Sequence, residues 1–440
     1  MKYIGGLMLM IVSTTLAAQT RFDGLEQCLD FARQHNLALQ TEKLNHSISE
    51  QKVKSAWAAL LPQIKAFGTL DNNISLPVQL VPAQLLGGNE GEYAKLKFGT
   101  QYAASYGAEA SLSLLNVAQW KNIKSAQYGE QANVYQAIDR ELNVIEQVIA
   151  SYYFALLSRE AVSLNRELVE ASDSLLHSAQ ARLDNGLIER LDYNRVKALN
   201  LESIQQLEES KVAFEKNVNA LKLLCGLQSG DSLQITETIS DSFSKNKTPS
   251  ALTVTTESLP RYQVLSSRKL QAEEEWKRQR ARIMPEISLY ARYARQAFRD
   301  EFNFFSGDQP WFDVGVAGVR AEWSLFTGFN RQSSIKQASI QTKIAQQEFE
   351  NYVLQAEKEL DDLKLNHRVS AQGVVHWMDH YNLNSVNYHL AGEKYTQGVY
   401  TIDQYITIYQ ELVRSQNQYL NKLASYLVYE SMIITRNALK

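Results

Sequence analysis

The sequence predicts a mainly α-helical fold with membrane-type β-strands, built as two structural repeats, each a β-strand pair followed by a long helical hairpin. Three observations predict it. Only seven prolines and 20 glycines interrupt 440 residues, and few breakers mean long elements. Short stretches of strict apolar and polar alternation recur between long stretches of helical spacing. The order of these stretches repeats once along the chain. A hydrophobic content of 45 % is enough to bury a sizeable core. The balance of 45 basic against 48 acidic residues leaves no cationic excess for a phosphate backbone, which excludes nucleic acid as a partner.

The N-terminus carries Lys2, an apolar run from Ile4 to Leu16, and the small residues Ala17 and Ala18. This pattern reads as a signal peptide over residues 1–18, because the run is shorter than the ~20 residues of a spanning helix. Beyond it no apolar run is long enough to span a bilayer as a helix, so membrane insertion would have to use β-strands. Cys28 and Cys225 are the only thiols. In an oxidising compartment they could form one disulfide, or lie buried separately in helix ends.

Helical spacing runs from about Leu25 to Leu60 and stops at Leu61-Pro62, where proline breaks the backbone ladder. Alternation follows: Ile64, Ala66, Gly68 and Leu70 oppose Gln63, Lys65 and Thr69. A loop bearing Pro77, Pro82 and Gly91 leads to a second strand. There Tyr102, Ala104, Tyr106, Ala108, Ala110, Leu112 and Leu114 oppose Ser105, Glu109, Ser111 and Ser113, one face for lipid and one for water. A helix of roughly 65 residues from Val117 to Arg182 would extend on the order of 100 Å. It turns at Asp184-Asn185-Gly186, and a return helix runs from Leu191 to Leu224.

The second half repeats this plan. A helix from Ser258 to Ile283 stops at Met284-Pro285. Ile287, Leu289, Ala291 and Tyr293 then alternate with Glu286, Ser288, Tyr290 and Arg292. A loop with Phe302, Phe304 and Phe305 precedes a fourth strand, in which Val319, Ala321, Trp323 and Leu325 alternate with Arg320, Glu322 and Ser324. A long helix from Asn330 to Lys394 turns at Gly398 and returns from Asp403 to Asn437. From Leu115 to Gly186 is 71 positions and from Phe326 to Gly398 is 72, so the hairpins match. The domain boundaries that follow are a first repeat over 19–227, a polar connector over 228–257 and a second repeat over 258–440.

Four strands cannot close a barrel, and an open edge in hydrocarbon leaves backbone groups unpaired. Two copies give eight strands, too narrow for an open pore, whereas three give twelve. The elements therefore call for a homotrimer inserted in outer-membrane lipid.

At this level of detail the chain resembles the TolC-like outer membrane factors, the exit ducts of tripartite efflux pumps and type I secretion systems. The resemblance spans the mature chain. It rests on Ala58-Ala59-Leu60-Leu61-Pro62 and Ala281-Arg282-Ile283-Met284-Pro285, and on the junctions Ser113-Leu114-Leu115-Asn116 and Ser324-Leu325-Phe326-Thr327-Gly328. It rests also on the tips Arg182-Leu183-Asp184-Asn185-Gly186-Leu187 through Asp192 and Lys394-Tyr395-Thr396-Gln397-Gly398-Val399 through Asp403. The resemblance implies a trimeric twelve-stranded barrel continued by a periplasmic α-helical barrel, closed at the helical tips. It implies that Gly186, Leu187, Gly398 and Val399 meet a periplasmic adaptor, with an inner-membrane transporter as a further partner. It also places Asp192, Asp403 and Tyr395 at the periplasmic gate.

Rings of carboxylates from three chains would make a cation-favouring constriction, while either aspartate could instead cap its helix. The second tip departs from the first: Gly398 and Asp403 are five apart, Gly186 and Asp192 six. Tyr400 stands where some family members place a latching arginine. His376 and His380 share a helix face near Asp379 and His389, a spacing that a metal could use, but histidines on a long helix are more often surface residues. No nucleotide-binding loop or nucleophile constellation occurs, so neither an enzyme nor a resident cofactor is expected. The rival readings are a periplasmic adaptor, which would lack the strand pairs, and a structural coiled coil.

Overall fold

A computed structural model of the chain describes residues 20–439 apart from 88, 229, 246–248 and 308–309. The leader expected over 1–18 lies outside the described residues.

A short strand β1 (Thr20–Phe22) is followed by helices α1 (Leu25–His35) and α2 (Leu37–Ala58). Helical spacing predicts one helix here, and the structure breaks it at Asn36. The Asn36 side-chain oxygen accepts from the amides of Ala38 (2.9 Å) and Leu39 (3.2 Å), so it caps α2 while its own backbone is extended. Its Nδ2 donates to the carbonyl of Leu224 at 2.7 Å, a partner invisible to local spacing.

Next come β2 (Gln63–Asn72), β3 (Val78–Pro82), β4 (Tyr93–Lys97) and β5 (Tyr102–Leu115). The β3–β4 hairpin occupies the stretch read as a loop, because five-residue strands are too short for alternation to separate them from one. Helices α3 (Val117–Asp184) and α4 (Arg190–Leu224) form the first hairpin. The connector is not featureless: it holds β6 (Leu233–Ile235), paired in parallel with β1, and α5 (Ile239–Lys245).

The second half contains α6 (Pro260–Ala281), β7 (Glu286–Arg299), β8 (Phe312–Glu322), α7 (Asn330–Thr396) and α8 (Ile402–Asn437). Its lengths match the first: 67 residues in α7 against 68 in α3, 36 in α8 against 35 in α4, and 22 in both α6 and α2. Even the proline stops are alike. Leu61 bonds back to Ala58 and Met284 to Ala281, each one residue before its proline. Strand β8 begins earlier than its alternation predicts and ends at Glu322, which leaves Trp323 outside the ladder with its indole donating to the carbonyl of Ile283.

Strands β2, β5, β7 and β8 form one antiparallel sheet in that order, so the strand pairs of the two halves join through β5 and β7. The described chain divides into two compact units, each drawing on both halves. One contains Ser47–Ala132 and Leu265–Glu348, and with them the four-stranded sheet. The other contains the residues up to His46, Asn133–Val264 and those from Phe349 onward. Its main core packs Cys28 and Ala32 of α1 against Ile149, Tyr152 and Leu156 of α3, Cys225 after α4, and Leu423 and Leu427 of α8. Within it Glu430, 1 % exposed, lies 2.6 Å from His367 Nε2 and accepts the backbone amide of Ser250 at 3.0 Å. That bond fastens the connector to α7 and α8. No helix among the described residues is long and apolar enough to cross a membrane.

Candidate gate and membrane sheet

The two hairpin turns are built alike. In each, the residue after a left-handed glycine bonds back five residues: Leu187 to the Arg182 carbonyl (2.8 Å) and Val399 to the Lys394 carbonyl (2.9 Å). Gly186 and Gly398 have φ of 70° and 75°, the conformation that glycine adopts without a side-chain clash. Leu187 and Val399 are 68 % and 64 % exposed, so each tip presents an aliphatic side chain to its surroundings. The unequal glycine-to-aspartate spacing does not shorten the second turn. Each return helix starts four residues after its glycine, and the offset lies in the helix: Asp192 is the third residue of α4 and Asp403 the second of α8.

Neither aspartate is a cap. Thr401 caps α8 in a reciprocal box with Gln404, and Glu189 precedes α4 without a side-chain cap bond. Asp403 instead takes Arg195 Nη1 at 2.6 Å on both carboxylate oxygens, joining α8 to α4. Asp192 is half-buried, and its charge adds to the burial that pushes the Tyr395 hydroxyl above the ordinary tyrosine range, against the lowering effect of Arg182.

Tyr395 sits at the centre of the site. It is 3 % exposed, packs on Tyr405, and takes the Arg182 guanidinium over its ring at 5.1 Å. Arg182 Nη1 also donates to the Tyr395 carbonyl at 2.9 Å. Beneath these contacts a core of Leu175, Ala179, Val196, Tyr388, Ile402 and Tyr405 seals the four helix ends together. Tyr400 lies under the Lys394 ammonium at 4.9 Å. The arginines here come from the first hairpin, at positions 182 and 195. No local pattern marks them as site residues, since their partners lie on the other hairpin.

Among the described residues His376, Asp379, His380 and His389 do not bring three ligand atoms together. His380 Nδ1 contacts Asn384 Nδ2 at 3.0 Å and its ring packs on Trp377.

In the sheet, the register aligns the alternating sets. Ile64, Ala110, Ala291 and Ala317 share one face, joined by Ala66, Ala108, Tyr293, Leu289 and Val319. The opposite face carries Lys65, Glu109 and Arg292 in one cross-strand row. There Arg292 lies over the Phe67 ring at 4.4 Å and Arg320 over Tyr290 at 4.9 Å. Toward the β7–β8 loop the apolar face bears aromatics: Trp311 meets Tyr106 at 5.0 Å between ring centroids, and Phe302 meets Tyr102 at 5.8 Å. An apolar band flanked by aromatic rings, backed by a charged face, is the pattern of a membrane strand with one lipid and one aqueous side.

Residues 28–227 and 264–427 match the family model described as outer membrane efflux protein. No curated protein matches the chain by sequence. Among solved structures, the chain is similar to the CmeC outer membrane channel of Campylobacter jejuni, with a TM-score of 0.77 at 14 % identity over 94 % of this chain and 85 % of that one. It is similar to the outer membrane protein VceC of Vibrio cholerae, with a TM-score of 0.73 at 14 % identity over 94 % and 95 %. It is also similar to the MtrE outer membrane channel of Neisseria gonorrhoeae, with a TM-score of 0.71 at 17 % identity over 95 % and 89 %. At these identities the structural likeness speaks to the fold alone.

Proposed function

The chain belongs to the outer membrane efflux protein family, and from that premise we propose that three copies form the exit duct of a tripartite pump, a passive channel gated at its helical tips. The observation that carries the trimer is the open sheet. Among the described residues strands β2 and β8 each have one unpartnered edge, and each backbone group left unpaired in hydrocarbon costs several kcal/mol. Pairing β8 of one copy with β2 of the next removes all edges at once, and three copies supply twelve strands. In this reading Ile64, Ala108, Leu289 and Val319 face lipid, while Lys65, Glu109 and Arg292 face water.

At the tips, Asp192, Asp403 and Tyr395 form the gate, with Arg182 and Arg195 as the latches that hold one hairpin to the other. Gly186, Leu187, Gly398 and Val399 receive a periplasmic adaptor; the exposed Leu187 and Val399 offer the apolar contacts such docking requires. The chain performs no chemistry, and the energy for transport comes from an inner-membrane transporter coupled through the adaptor.

The test is fractionation. Trimers that fall apart on heating, recovered with the outer membrane, are the expected result. A soluble periplasmic monomer would overturn the reading in favour of an adaptor.

A further inference from the structure

Cys28, in the first helix, and Cys225, just after α4, place their sulfurs 3.7 Å apart with both residues 0 % exposed. They are the only cysteines in the sequence. We propose that these two residues are joined by a disulfide in the mature protein, a covalent staple that closes the first half of the chain on itself.

The geometry is permissive. A disulfide requires sulfurs at about 2.0 Å, so the two must close by about 1.7 Å, a distance that small side-chain rotations can supply. The backbones around them are already held together by noncovalent contacts. Asn36 Nδ2 binds the carbonyl of Leu224, and Gly226 passes so close to α1 that a side chain there would meet the His35 carbonyl at 2.3 Å. Both cysteines belong to one core, with Phe22, Tyr152 and Leu221 among its other members. With two thiols in the sequence only one connectivity exists, and an exported chain meets thiol oxidants before it folds.

Timing follows from burial. In the folded protein the Cys28 thiol is held well above its usual acidity range by its contact with Cys225 and by burial, so little thiolate would form there. Oxidation therefore precedes closure of the core. One cysteine thiolate attacks a disulfide of a periplasmic thiol oxidoreductase, displacing one of its sulfurs as a thiolate. The second cysteine then attacks the mixed disulfide at the chain's own sulfur and releases the other. One disulfide forms and one is broken, the chain loses two electrons and two protons, and the oxidoreductase is left as a dithiol. Once buried, the bond is shielded from reductants. It spans 197 positions, a loop containing α2, β2–β5, α3 and all of α4. Constraining so long a loop removes much of the unfolded chain's freedom.

The protein is purified from outer membranes, denatured with and without reductant, and treated with a polyethylene-glycol maleimide. No gel shift before reduction and a two-step shift after it are expected, with the unreduced chain migrating faster than the reduced one. Cys28→Ala should accept one maleimide without reductant. Two adducts on the unreduced wild-type chain, or a covalent dimer, would overturn the proposal; neither outcome bears on whether the protein is a trimeric channel.

Discussion

Arg182 Nη1, near the end of α3, stands 2.9 Å from the carbonyl oxygen of Tyr395, near the end of α7, with the guanidinium over the same residue's ring. This one side chain ties the first hairpin tip to the second. A hydrogen bond from a charged donor in a half-buried site contributes on the order of 2 kcal/mol. The Arg195–Asp403 pair is shorter, at 2.6 Å, but its side chains are 39 % and 66 % exposed. Water and salt screen such a pair to about 0.5 kcal/mol.

Arg182→Gln should therefore open the tips more than Arg195→Gln. Conductance of purified protein in planar bilayers is the measurement, and the Arg195→Gln effect should shrink further as salt is raised. Equal conductance for the two variants would contradict the ranking.

The glycines separate conformational strain from collision. Gly186 and Gly226 both have positive φ, 70° and 72°. A Cβ at 186 meets nothing within 4 Å among the described residues, whereas at 226 it meets the His35 carbonyl at 2.3 Å. Gly186→Ala should cost about 1–2 kcal/mol of local strain and leave the yield of membrane-inserted protein nearly unchanged. Gly226→Ala forces α1 away from the end of α4, and yield should fall severely.

The His367 and Glu430 pair is buried and shares its acceptor with Ser250. Removing one member leaves the other's buried polar atoms without that partner, which costs about 1–3 kcal/mol. Glu430→Ala should lower the denaturant midpoint accordingly. His367→Phe combined with Glu430→Leu should cost less than the two single changes together, because the double variant leaves neither member of the pair behind without its partner.

Asp139 supplies a pH signature. Burial raises its carboxyl above the ordinary aspartate value of 3.8, partly offset by Arg261, whose Nη1 is 3.8 Å away, and reinforced by Glu146. Between 3.8 and its raised value the folded chain retains a proton that the unfolded chain has lost. Stability therefore falls as pH rises through that window. Asp139→Asn should flatten this part of the melting-temperature profile, measured by helical circular dichroism in mild acid.

Periodicity along the chain determined the long helices, the four sheet strands, the proline stops and the glycine turns, because each follows from contacts within a few residues. The placement of both halves on one plan followed too, and α3 and α7 differ by a single residue in length. Tertiary structure decided the rest. Asn36 ends a helix that spacing would continue, because its side chain finds two amides and a carbonyl 188 positions away. Asp403 is ion-paired because Arg195 arrives from another hairpin, and Cys28 meets Cys225 only once α1 has docked. A pairing between residues hundreds of positions apart leaves no periodic trace in the chain; it exists only when the core has brought the elements together.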